Sequence, residues 1–217
     1  MSRNTKITSR SRLRRGLLGG CALLAVGLLA VPGSAEASVR TKSTAIAAEA
    51  DRALDAFARW EIDDNPADYV RFIQSRDAAA TMTASDLELD PDALSDAWAS
   101  APIVKQRAVL AALSQLGVPY RSIASEPGVG FDCSGLTIWA FGQAGLEIPR
   151  TSGDQFRAAE KIESDEAVPG DFVYYPGHIS IYLGLGTMVH SPNSGSHVEA
   201  VTLPSQRSVD FGDPFGD

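Results

Sequence analysis

A chain of 217 residues with 27 acidic and 19 basic side chains carries a formal charge of −8. A balance this acidic makes the chain a poor candidate for nucleic acid, whose binding requires clustered Lys and Arg. The basic residues are also unevenly placed, with Arg3, Lys6, Arg10, Arg12, Arg14 and Arg15 all in the first 15 positions.

That basic start is followed by an apolar run, Leu17 to Val31, and then by Pro32-Gly33-Ser34-Ala35-Glu36-Ala37. A basic segment, a short apolar core and an A-x-A site define a secretory signal peptide, with cleavage expected after Ala37. The run is shorter than the ~20 residues a spanning helix needs, so no membrane association is expected after cleavage. Arg14-Arg15-Gly16-Leu17-Leu18 is a partial twin-arginine signal. Leu18-Gly19-Gly20-Cys21 resembles a lipoprotein acceptor site, but most of the apolar core follows Cys21 instead of preceding it. Export to the cell envelope or medium is the common consequence. Cleavage removes six basic residues and one acidic residue, leaving a charge of −13, and it leaves Cys133 as the single cysteine. So acidic a chain would be repelled by anionic wall polymers unless its charge is locally patterned.

The remainder has the size of one catalytic domain with a helical extension. Residues 44–60 read as a helix with Ala47, Ala50, Leu54 and Phe57 on one face. Asn65-Pro66 and Asp90-Pro91 each pair an N-cap residue with a proline suited to the first turn. They open helices whose apolar residues are Tyr69, Phe72 and Ile73 in one, and Leu94 and Trp98 in the other. A fourth helix begins near Pro102, with Val109, Ala112, Leu113 and Leu116 at helical spacing, and stops at Gly117. Residues 118–131 are loop-like, and a helix is expected over 133–144, ended by Gly145. Strands are expected at 171–175, 178–184, 187–191 and 197–202, followed by a short C-terminal tail. Helices first and antiparallel strands afterwards make an α+β pattern. The expected divisions are a signal peptide (1–37), a helical region (38–100) and a catalytic domain (101–217).

The chemistry centres on Gly130-Phe131-Asp132-Cys133-Ser134-Gly135-Leu136. Asp132 reads as an N-cap, which puts the sulfur in the first helical turn, near unpaired N–H groups and the positive end of the dipole. Both favour the thiolate, the nucleophilic form. Leu136, Trp139 and Ala140 would bury the helix, and Gly135 would keep the approach to the sulfur open. This string alone leaves a buried structural cysteine as open as a nucleophile. His178 heads an alternating strand, a rigid mount for a base. His190 lies 12 residues on, and a tight turn near Gly184–Gly186 would bring the two imidazoles together, with His190 orienting His178. His197, the third histidine of the chain, is expected to be exposed on the last strand and is the alternative orienter. No Cys-x-x-Cys or close His pair suggests zinc, so neither metal nor cofactor is expected.

Phe131-Asp132-Cys133-Ser134-Gly135-Leu136, with Gly117-Val118-Pro119-Tyr120 upstream, resembles the NlpC family of cell-wall endopeptidases. So do Pro149-Arg150-Thr151-Ser152 with Gln155, Pro169-Gly170-Asp171-Phe172-Val173 and the strand at His178. The resemblance covers roughly residues 104–203. It implies a papain-like α+β core, a catalytic helix packed on an antiparallel sheet, with Cys133 as nucleophile, His178 as base and His190 as third residue. It implies substrate-binding roles for Tyr120, Asp132, Ser134 and Arg150, with the Tyr120 hydroxyl near the thiol. The implied substrate is the peptidoglycan stem peptide of a bacterial wall, cut typically between D-glutamate and the diamino acid, by a protein expected to act as a monomer. Where the family often shows a Trp-Gly-Gly step, this chain has Arg121-Ser122-Ile123-Ala124, which narrows backbone freedom and adds a cation near the groove. An amidase or acyltransferase using the same Cys-His pair, and an inert wall-binding module, are the alternative readings.

Overall fold

Two proline-led helix starts organise the first half of the molecule. The computed structural model describes the backbone over residues 33–216 and the side chains over residues 43–216. The signal-peptide reading therefore lies, except for its last positions, outside the described residues. Four helices come first: α1 (Gly33–Asp63), α2 (Pro66–Asp86), α3 (Pro91–Ser100) and α4 (Ile103–Ser114). The Asn65 side chain accepts from the Ala67 N–H at 3.0 Å. Asp90 accepts from Asp92 and Ala93 at 3.0 and 3.2 Å. Each carboxyl or amide oxygen thereby satisfies donors that a helix start leaves orphaned. α1 extends beyond the expected residues 44–60 at both ends, because the apolar stripe marks only its buried turns. Ile46, Ala50, Ala53 and Phe57 are its buried face, while Ala47 and Leu54 are half-buried. Tyr69, expected in the core, is 37% exposed and lies against the Trp60 ring.

The second half begins with a two-stranded ribbon, β1 (Ser125–Glu126) and β2 (Gly130–Phe131), and continues through α5 (Cys133–Gln143) and α6 (Ser152–Ala158). The strands are β3 (Glu160–Ile162), β4 (Phe172–Tyr175), β5 (His178–Gly184), β6 (Thr187–His190), β7 (Glu199–Thr202) and β8 (Asp210–Asp213). They form one antiparallel sheet of order β3-β8-β4-β5-β6-β7. The α+β class is as expected. The segment read as a C-terminal tail is not a tail: β8 lies inside the sheet, between β3 and β4. The last expected strand starts at Glu199, because His197 pairs with Pro119 instead of with β6. β5 does not alternate between core and solvent, since every residue except Tyr182 is buried. Helices cover one face of it. On the other face Val173, Met188 and Phe211 form a smaller cluster.

One core runs through both halves. Phe57, Phe72, Leu94 and Trp98 from the helical region join Leu110, Leu113, Leu136, Phe141, Phe172, Ile181 and Leu183. α4 is the joint, packing on α1, on α5 and on β5 and β6. Two buried polar contacts fasten the halves. The Trp98 indole donates to the Leu183 carbonyl at 2.7 Å. Lys105 Nζ sits 2.6 Å from Asp171 and 2.8 Å from Asp213, tying α4 to the loop before β4 and to β8. Gly170 allows that approach: its φ is +98°, and a Cβ there would lie 2.5 Å from the Lys105 Cβ. Residues 38–100 are thus continuous with the core of the second half.

Candidate active site

Asp132 caps α5 as expected, its Oδ1 accepting from the Gly135 N–H at 2.7 Å, and this places Cys133 at the first helical residue. α5 packs on β5, and the Ile179 N–H, one residue after His178, faces the Cys133 sulfur. Burial pushes the thiol up from its ordinary value. The N–H groups of Ile179, Ser134 and Cys133 oppose that rise, while the Asp132 charge adds to it. The expected resting thiolate is therefore corrected: desolvation outweighs the helix start, and Cys133 rests as a thiol. The expected reason for Gly135 is also different. A Cβ there would lie 1.9 Å from the Ala124 carbonyl oxygen, so glycine lets the preceding loop lie against the helix start.

His178 and His190 meet as the hairpin predicted. Leu185 and Gly186, both at positive φ, form the two-residue turn between β5 and β6. His178 Nε2 and His190 Nδ1 are 2.9 Å apart, with both rings buried and perpendicular. This leaves His178 Nδ1 as the ring nitrogen available to another partner. Burial, then the neighbouring His190 and Arg207, lower the His178 pKa to about 3, so the ring is a neutral base at ordinary pH. His197 is exposed and takes no part in this pair.

The four expected substrate-binding residues divide in two. Asp132, Ser134 and Arg150 bind one another: Arg150 donates to Asp132 Oδ2 at 2.7 Å and to Ser134 Oγ at 2.7 Å. Asp132 also accepts from Ser134 Oγ at 3.2 Å and from the Ile123 N–H at 2.9 Å. Burial raises the Asp132 carboxyl, but the Arg150 hydrogen bond and the Gly135 N–H outweigh it and hold the group below its usual range. Arg150 keeps 40% of its side chain exposed, whereas Asp132 keeps 13%. Of the three, Arg150 is the one open to a ligand. Tyr120 is half-buried and bridges Phe131, two residues before the cysteine. Arg121 is exposed, and the Ile123 side chain is 85% exposed with φ +60°, a costly backbone state for a β-branched residue.

Three residues of this site carried no sequence signal. Tyr175 stacks on His178 at 4.8 Å, and Arg207 lies 4.5 Å from the Tyr175 ring centre. Glu199 pairs with His190 across β6 and β7, its Oε1 3.5 Å from His190 Nε2. Each is brought in by a strand register or loop path. Only a known register opposite His190 would have singled out Glu199.

The sequence profile of the NlpC/P60 family matches residues 117–209. The bifunctional muramidase/DL-endopeptidase CwlT of Bacillus subtilis is 44% identical over 92 residues, covering 39% of this chain and 28% of CwlT. A protein of Corynebacterium glutamicum described as a probable endopeptidase is 36% identical over 144 residues, 65% of each chain. An alignment of that length cannot fit after residue 117, so it takes in part of the helical region. The structure of the peptidoglycan hydrolase RipB from Mycobacterium tuberculosis matches with TM-score 0.46 and 30% identity, over 63% of this chain and 83% of that one. The chain spans less than two thirds of the length of both curated relatives. Over residues 117–209 the chain is thus similar to the NlpC/P60 family, among whose matched relatives are proteins named as endopeptidases.

Proposed function

We propose that this protein is an exported cysteine endopeptidase that hydrolyses peptidoglycan stem peptides, at the bond between D-glutamate and the diamino acid. The observation that carries the reading is the buried His178–His190 pair, 2.9 Å between ring nitrogens, with the N–H of Ile179, next to His178, facing the sulfur of Cys133 at the capped start of α5. A neutral base with one nitrogen committed to an orienting partner is what nucleophilic catalysis by a resting thiol requires.

The thiol passes its proton to His178 as the sulfur attacks the scissile carbonyl carbon. A tetrahedral oxyanion forms, and the Cys133 N–H and the Tyr120 hydroxyl are the donors assigned to it. The imidazolium returns the proton to the leaving amine, giving a thioester. Water, deprotonated by the same ring, then releases the acid and restores the thiol. Arg150 is assigned to a stem-peptide carbonyl or carboxylate at the mouth of the groove, with Asp132 and Ser134 holding its guanidinium in place. Residues 38–100 are assigned a scaffold role, and the protein acts outside the cytoplasm as a monomer.

Digestion of purified muropeptides with mass spectrometry of the products tests this reading. New amino termini at the diamino acid are expected. Release of a lactyl-amide product or transfer of an acyl group would make the protein an amidase or acyltransferase. Intact muropeptides, together with a Cys133 that alkylates no faster than a free thiol, would make it a binding module.

A further inference from the structure

The polar chain behind the base does not end at His190. β7 brings Glu199 opposite His190, and the carboxylate oxygen lies 3.5 Å from His190 Nε2. Glu199 is 38% exposed in its side chain, while His190 is buried. Its contact with the His190 ring, acting against partial burial, holds the Glu199 carboxyl below its usual range. It is therefore ionised and can only accept.

We propose that Glu199 is a positioning residue that sets the tautomers of both histidines, and that it does so for the Cys-His nucleophile proposed above. An ionised carboxylate facing Nε2 of His190 favours the tautomer with that ring's proton on Nε2. Nδ1 of His190 is then a lone pair, 2.9 Å from His178 Nε2, and can only accept. His178 must donate from Nε2, which leaves its Nδ1 bare. When the Cys133 S–H bond breaks, its electron pair stays on sulfur and the proton bonds to that bare nitrogen. The resulting imidazolium keeps its Nε2–H on His190, and the negative charge of Glu199 faces it through one intervening ring. Without the carboxylate, His190 is free to carry its proton on Nδ1, which would force His178 to accept at Nε2 and to present a proton to the thiol. The other groups facing this chain are Arg207 near His178, His197 near Glu199 and the Tyr175 ring.

The test needs no wall substrate. Nitrogen-15 shifts of the histidine rings in the wild-type protein are expected to show Nε2–H, with an unprotonated Nδ1, for both His178 and His190. An Nδ1–H on His190 would overturn the proposal. In Glu199→Gln, the rate of Cys133 alkylation by iodoacetamide is expected to fall about ten-fold, the scale of one lost charge-assisted hydrogen bond. The pH dependence of alkylation should shift, and the His190 signal should move to a tautomer mixture. A variant that alkylates at the wild-type rate with the same pH profile would also overturn it. Muropeptide turnover, measured separately, decides the activity itself. Wild-type Nε2–H tautomers without turnover would leave the positioning role standing and refute the peptidase reading.

Discussion

The helical region and the sheet-bearing half bury different chemistry. α1, α2 and α3 bury chiefly apolar side chains, among them Phe57, Phe72, Leu94 and Trp98. Their buried charges, Asp68 and Arg76, have partners that reach the surface. The second half buries Ser134, Thr137, Gln155, Asp171, His178, His190 and Ser191. Among the described residues, the one buried side-chain polar atom without a hydrogen-bond partner is Thr83 Oγ1, and it lies in the helical half. No fully buried side-chain polar atom described around the cysteine is therefore left without a partner. Gln155 alone joins Thr137 at 2.7 Å to the Ser134 carbonyl at 3.0 Å and the Pro149 carbonyl at 2.8 Å. An unpaired polar group in such surroundings would be costly, and a fully satisfied network rigidifies what it holds. The contrast separates two tasks: the helices supply apolar burial, and the sheet half spends buried polar pairs on fixing the cysteine and histidines.

The largest expected effect breaks the boundary between the halves. Residues 101–217 produced alone should be insoluble or unfolded, because Phe57, Phe72 and Trp98 leave a core that α4, α5 and β5 share with them. A soluble fragment that cleaves muropeptides faster than the longer protein would instead make α1–α3 a lid over the groove.

Cys133→Ala is expected to lower muropeptide cleavage by about 10⁴-fold or more, since members of a cooperating catalytic set fail together. Its thermal midpoint should stay near that of the wild type. Residual cleavage at a comparable rate would sink the thiol mechanism.

Trp98→Ala should destabilise the protein by about 3–5 kcal/mol, through a cavity and the lost bond to the Leu183 carbonyl. The expected sign of the comparison is that urea stability falls while kcat at a permissive temperature changes little. A stable variant with much lower kcat would mean that α3 shapes the site directly.

Acid gives the subtlest effect, and it acts on the site half. His178 stays neutral in the folded protein down to about 3, against an ordinary value of 6.5. Between those values the unfolded chain binds the extra proton, so this group lowers stability as pH falls from about 6.5 toward 3 and costs nothing above that window. The urea midpoint should drop more between pH 7 and pH 4.5 in the wild type than in His178→Gln. Equal drops would show that His178 is not held neutral by its surroundings.

The local signals in this sequence are the ones that act within a few residues. Asn65-Pro66 and Asp90-Pro91 start helices, Asp132 caps α5, and the Leu185-Gly186 turn joins β5 to β6. Together with the spacing of His178 and His190, they made the fold class and the histidine pair legible without coordinates. A cap or a two-residue turn is decided by the hydrogen bonds and φ angles of its own residues. What only the tertiary structure decided depends on partners far along the chain. The Asp210–Asp213 segment becomes an interior strand because β3 and β4 flank it. Glu199 reaches His190 through strand register. The Cys133 thiol rises because the packing of α5 on β5 desolvates it, outweighing the helix start that the sequence did reveal. Register and burial are properties of the assembled sheet and core, and no short stretch of the chain carries them.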